Sequence, residues 1–269
     1  FSKRVYVDGW LSSAYSAMDY IGEFSEPFRW TADDLYHPDM KEYHEGNYSA
    51  DNQFSDSNQN ESRLWKYYEG IRKASTFVNN VDLCPELTMD EKTDMKGQAR
   101  FLRAYCYWAL MRVYGPVPLI PLEGLDVNLS YEELSLPREH FDVLVDFVDK
   151  ELMEAARSLP TKRTVNNLGR PTRGAALGLR SRVLLFAASP LFNGNTDLFD
   201  VKDCYGNLLI AQEYDESKWA RAAAAARDVI ELAKSADLYE LYTIAPKATT
   251  LEWERPPYND EYSNKTYPD

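Results

Sequence analysis

Aromatic and hydroxyl-binding side chains gather in two polar stretches of this 269-residue chain. The first contains Tyr36, His37, Asp39, Tyr43 and Tyr48. They fall in a run, 23–60, that lacks hydrophobic periodicity, carries Pro27, Pro38 and Gly46, and ends in an Asn/Ser/Asp-rich string from Ser49 to Asn60. The second, 236–269, holds Trp253, Tyr258, Tyr262 and Tyr267 among prolines, asparagines and acids. An exposed aromatic face is a candidate binding platform, and carboxylate, imidazole and phenol groups can exchange hydrogen bonds with a polar ligand. Aperiodic stretches of such length are usually functional or disordered. The first is read as the candidate ligand loop, with the alternative that its tyrosines pack onto the helices; the second is equally open to joining it or to being a disordered stub.

Bond-breaking chemistry has little to work with. There is no glycine-rich phosphate loop, no His-Glu-x-x-His, no Gly-x-Ser-x-Gly, and only three histidines, His37, His44 and His140. His140 is read as incidental, His37 and His44 as solvated or ligand-contacting. Asp33 and Asp34 invite a glycosidase reading, which needs two carboxylates a fixed distance apart. Neighbours in sequence seldom face one another, so a cap or turn is the simpler role. The loop from Asn193 to Asn207 has calcium-friendly oxygens but lacks EF-hand spacing. No catalytic residue, metal or cofactor is expected.

A formal net charge of −13 disfavours nucleic acid and anionic lipid as partners. Cys84, Cys106 and Cys204 are odd in number and widely spaced, so no disulfide framework is read and structural roles are expected. No window approaches the roughly 18 apolar residues that cross a bilayer. The chain opens in a helical pattern rather than a signal peptide, and is expected to be trimmed at its front and to continue beyond its rear.

The elements that must position these side chains are helical. Periodicity predicts helices over 3–21, 61–81, about 88–114, 137–159, 171–189 and 215–235, with Pro137 as a first helical residue. The helix around Lys96–Tyr114 has almost no solvent side: Phe101, Ala104, Tyr105 and Trp108 fill one face, and Leu102, Cys106, Ala109, Leu110 and Val113 another. Such a helix must be packed on several sides. Thr88 and Glu91 have capping-box spacing at its start, and Gly115, Pro116 and Pro118 close it. Strand signals are sparse, and successive hairpins give a mainly all-α chain. The divisions are an N-terminal helix, 1–22; the candidate ligand loop, 23–60; a helical-hairpin region, 61–235; and the polar aromatic tail, 236–269.

Three blocks carry a family likeness. Gly97-Gln98-Ala99-Arg100-Phe101-Leu102-Arg103-Ala104-Tyr105, running to Tyr114-Gly115-Pro116-Val117-Pro118, resembles the signature helix of the SusD/RagB family, the surface glycan-binding lipoproteins of Bacteroidota. Gly169-Arg170-Pro171-Thr172-Arg173-Gly174, leading into Arg182–Pro190, is similar to the helix that follows. Tyr214-Asp215, Lys218-Trp219 and Ala222–Ala226 stand where that family has its next helix. The resemblance implies a tetratricopeptide-like α-solenoid, although no strict 34-residue repeat is visible. It implies non-catalytic capture of an oligosaccharide or similar nutrient and its delivery to a TonB-dependent, SusC-like transporter. It also implies an outer-membrane surface location through an upstream lipid anchor absent from this chain. It places a glycan site partly on the loop after the first helix, and brings aromatics such as Trp253 and Tyr258 from the other half. Two rivals are a glycoside hydrolase on a helical scaffold and a tetratricopeptide-type protein-interaction scaffold.

Overall fold

The computed structural model describes residues 1–18, 45, 61–126, 128–235 and 239; the side chains of 61–65 are outside that description. The chain divides into two compact units, Phe1–Glu231 and Leu232–Asp269, and the architecture below is that of the first. Helix α1 spans Arg4–Tyr15 and is followed by a 3-10 turn, Ser16–Met18. Then come α2, Glu61–Asn80; α3, Met89–Tyr114; a single turn α4, Tyr131–Leu134; α5, Phe141–Ser158; α6, Arg173–Ala188; and α7, Ser217–Ser235. The described residues form no strand, only isolated bridges Asn193–Ala211 and Lys202–Leu208.

Successive helices pack as hairpins. α2 lies on α3, α3 on α5 and α5 on α6; α1 covers α2 and reaches α3. The expectation of a helix packed on several sides is met in α3: fourteen of its 26 residues are buried, in a nearly unbroken run from Met95 to Met111. Each neighbour supplies a ring to it. Tyr107 meets Tyr68 of α2 at 6.4 Å and Phe147 of α5 at 5.1 Å, and Trp108 meets Phe186 of α6 edge-on at 5.1 Å. Gly97 lets α5 end against α3, because a Cβ there would lie 2.9 Å from Ser158 Cβ. A second part of the core joins Val7, Leu11 and Ala14 of α1 to Phe77, Val78, Met95, Ala99 and Leu102.

The ends of α3 follow the sequence closely. Thr88 Oγ1 accepts from Glu91 N at 3.2 Å and Thr88 N donates to Glu91 Oε2 at 2.9 Å, closing the capping box. Gly115 ends the helix with φ +65°. Two expectations fail at α5. It begins at Phe141, capped by His140 and not opened by Pro137, because Glu139 N donates to Val117 O and holds the preceding residues extended against the exit of α3. His140 is not incidental, since its Nδ1 accepts from Asp142 N at 3.2 Å. The turn α4, with its own Ser130–Glu133 capping box, is too short for periodicity to reveal.

Glu91 also receives Arg4 Nη2 at 2.7 Å, which fastens the start of α1 to the start of α3. The Thr88 backbone N–H, and after it Arg4, hold its carboxyl below the usual carboxylate range. A carboxyl whose folded pKa is depressed contributes stability above its unfolded pKa of about 4.3, lost as pH falls through the folded value. Glu91→Gln is therefore expected to lower the urea midpoint at pH 7 and to match the parent once the parent carboxyl is protonated in acid. The cysteines give a second check. Cys84 and Cys106 are buried, burial pushes the Cys106 thiol up to about 12, and Cys204 is exposed. A thiol reagent should titrate one thiol in the folded chain and all three in denaturant.

Candidate functional site

All seven residues expected to contact ligand, Tyr36, His37, Asp39, Tyr43, Tyr48, Trp253 and Tyr258, lie outside the described residues, as do His44 and the Asp33–Asp34 pair. What is described is the chain on either side of them, the end of α1 with its 3-10 turn up to Met18 and the helix that starts at Glu61. A polar cluster binds the end of α1. Tyr15, at the end of α1, donates its hydroxyl to Gln98 Oε1 at 2.9 Å, and Arg170 Nη1 donates to the same oxygen at 2.9 Å. Gln98 Nε2 donates to Asp94 Oδ2 at 2.8 Å, where Arg163 Nη1 also arrives at 2.8 Å. Arg163 in turn clasps Pro171 O through Nε and Nη2, at 3.0 and 2.7 Å.

The cluster ties α1, α3 and the α5–α6 connection at one point. Burial pushes the Tyr15 phenol well above its ordinary value, against the opposing pull of Arg170 and Arg163, so the hydroxyl stays a neutral donor. The guanidinium of Arg170 lies 5.9 Å from the Tyr15 ring centroid. The 3-10 turn beyond Tyr15 is seated as firmly: a Cβ on Gly70 of α2 would come within 2.6 Å of Ala17 Cβ.

Deeper in the scaffold, Glu151 of α5 receives Arg100 Nη1 at 2.5 Å on Oε1 and faces Arg103 Nη1 at 3.6 Å on Oε2. The Arg103 side chain is 1% exposed and that of Glu151 6%. Arg103 Nη2 also donates to Ile120 O at 2.7 Å, and its guanidinium lies 4.6 Å from the Phe147 ring. Ile120 N donates to Tyr107 Oη at 2.8 Å, and Tyr68 donates to Pro118 O at 2.8 Å, so the proline-rich exit of α3 is pinned back onto the helices. Burial pushes the Tyr107 phenol up to about 12. A carboxylate enclosed between two arginines has no access to a substrate, and this group holds the scaffold.

Among the described residues no group of three His, Cys, Asp or Glu is placed to hold a metal ion. The oxygens in the loop after α6 that resemble calcium ligands are engaged in a turn: Asp203 Oδ1 accepts from Tyr205 N and Asn207 N, and Oδ2 from Asn207 Nδ2. Asn207 first, then these backbone groups, hold the Asp203 carboxyl below its usual range. Aromatics to which the sequence gave no binding role are exposed as well: Phe199, Tyr205 and Tyr214 between α6 and α7, and Tyr131 in α4, are all more than half exposed. The available signal was an aromatic between turn-forming residues.

A SusD-like family model, described as starch-binding and associating with the outer membrane, matches residues 13–185. The chain belongs to the SusD-like family. It is 29% identical over 159 residues to a SusD-like protein of Bacteroides ovatus, covering 58% of this chain and 27% of that one. It is 26% identical over 143 residues to SusD-like protein P25 of Formosa agariphila, covering 51% and 26%. The solved structure of BT4246 is 27% identical and superposes with a TM-score of 0.70 over 90% of this chain and 42% of that one. Two solved structures share the fold at lower identity. A laminarin-binding SusD-like protein has TM-score 0.58 at 17% identity, covering 70% of this chain and 41% of that one. A protein crystallised with xylogluco-oligosaccharide has TM-score 0.55 at 21%, covering 84% and 40%. The matched stretches span about a quarter of the curated relatives.

The SusD-like signature residues are thus the ones that close the scaffold. Glu151→Ala is expected to cost about 3–5 kcal/mol, because it leaves Arg103 charged and buried without its carboxylate. Arg100→Ala removes the hydrogen bond to Glu151 Oε1 but leaves Arg103 as its counter-charge, and should cost less, about 1.5–3 kcal/mol. Chemical denaturation of the two variants checks the order.

Proposed function

We propose that this chain is the helical, scaffold-bearing part of a SusD-like protein that captures an oligosaccharide or related nutrient at the cell surface. It hands that ligand, unbroken, to a TonB-dependent, SusC-like transporter in the outer membrane. The observation that carries the reading is the family match over 13–185, which includes the whole aromatic loop 23–60. The named ligands of two structural relatives, laminarin and a xylogluco-oligosaccharide, support carbohydrate as the class. The polar cluster described above supports the same reading: a loop that selects a ligand works best when both of its ends are fixed.

In this reading Tyr36, Tyr43 and Tyr48 supply ring faces, and His37 and Asp39 bind hydroxyls. Trp253 and Tyr258 of the tail 236–269 complete the platform. Affinity is modest, since each hydrogen bond to a sugar hydroxyl replaces one to water. Attachment to the outer membrane comes from an upstream lipid group; no helix among the described residues is long and apolar enough to cross a membrane.

Calorimetry against a panel of β-glucan, xyloglucan and starch oligosaccharides tests the reading. At least one class should bind, Tyr36→Ala and Tyr48→Ala should each weaken it about tenfold, equivalent to about 1.4 kcal/mol, and chromatography should recover the oligosaccharide at its original length. Shortened products, or binding indifferent to both substitutions, would overturn it.

A further inference from the structure

Where the first turns of α5 and α7 meet the last turns of α6 there is a cavity of about 180 Å3. At roughly 30 Å3 per water in the liquid, that is the space of about six waters, enough for one small ring and too little for an oligomer. Val145, Leu184 and Ala187 give it apolar walls, and Asp142, Asp146, Lys218 and Arg221 give it a polar rim. The lining charges are answered within the protein: Asp215 Oδ1 accepts from Ser217 N at 2.8 Å, and the others meet in ion pairs. Lys218 Nζ lies 2.7 Å from Asp142 Oδ1, and Arg221 reaches Asp146 Oδ1 and Asp149 Oδ2, each at 2.5 Å.

That pairing decides the class of ligand. A free anion or cation would have to break a half-buried pair to find its counter-charge, leaving the displaced partner unanswered. A neutral ligand need break nothing. Asp142 Oδ2 and Asp146 Oδ2 accept no hydrogen bond among the described residues, and the Lys218 ammonium has, beyond Asp142, only a long 3.5 Å contact to Phe192 O. Acceptors and donors therefore alternate around apolar walls. A hydroxyl can donate to a carboxylate and accept from an ammonium or guanidinium at once, and charged partners make such bonds the stronger kind.

We propose that this cavity is a second binding site, for a single neutral polyhydroxylated ring of pyranose size. It is formed by residues of α5, α6 and α7 and of the turn before α7, so it does not depend on the reading of 23–60. The site would let the scaffold hold a monomeric sugar or cyclitol independently of any oligosaccharide on the loop.

Methyl NMR on the full chain tests it, with D-glucose, D-xylose and myo-inositol as neutral probes and sulfate and ammonium as ionic ones. Saturable shifts at the methyls of Val145, Leu184 and Ala187 are expected with at least one neutral probe and with neither ion. Ala187→Phe, which fills the cavity, should abolish them while the far-ultraviolet circular dichroism is retained. Asp146→Asn, on the exposed rim, should weaken binding about tenfold and guards against a filled variant that does not fold. Tyr36→Ala should leave these shifts unchanged, which separates this site from the loop. The proposal is overturned if no neutral probe saturates, if an ion saturates instead, if the shifts survive in folded Ala187→Phe, or if Asp146→Asn binds as the parent does.

Discussion

Helix α3 is enclosed by α1, α2, α5 and α6, so the polar groups it carries have to be answered by protein and not by water. Arg103 is the extreme case. A guanidinium at 1% exposure needs a carboxylate and a carbonyl, and finds them in Glu151 and in Ile120 O. This requirement sets the rotation of α5, which must present Glu151 and, one turn earlier, Phe147 to the same guanidinium. It also bends the chain after Gly115 back over α3, since Ile120 must come within reach of both Arg103 and Tyr107. Buried ion groups of this kind contribute little net stability but penalise every arrangement that separates them. The hairpins are held in one register by what would be left unpaired in any other.

The same logic explains which parts of the fold were legible. The boundaries of α3 were readable because Thr88, Glu91 and Gly115 act within a turn of themselves. The start of α5 was not, because it is set by Glu139 N reaching back to Val117 O, a contact across more than twenty residues. Pro137 satisfied every local rule for a first helical position and was overruled by that tertiary bond. The role of His140 was hidden for a related reason: histidine is an uncommon cap, and only the geometry places its Nδ1 on Asp142 N.

Around the candidate site, legibility divides along another line. Of the residues in the recognised blocks, Gln98 serves Tyr15, Arg170 and Asp94 together, and Arg103 serves Glu151 and Ile120 O. Losing Gln98 disturbs α1, α3 and the α5–α6 connection at once. The rim of the α5–α7 cavity was invisible. Asp142 and Asp146 lie on one helix, Lys218 and Arg221 on another, and neither pair shows a binding pattern by itself. Only the packing of α7 against α5, more than seventy residues apart in the chain, makes them face each other.

A tightly constrained helix end tolerates changes in chain length beyond it for an entropic reason. The closure cost of a flexible segment rises only with the logarithm of its length, about 0.6 kcal/mol for each doubling. Tyr15, Gln98 and Arg170 fix the end of α1, and Gly70 receives Ala17, so a flexible insertion joined beyond that point would cost less than losing one buried hydrogen bond. A fold assembled this way carries its family likeness in residues such as Gln98, Arg103 and Arg170, whose polar groups are engaged within the scaffold.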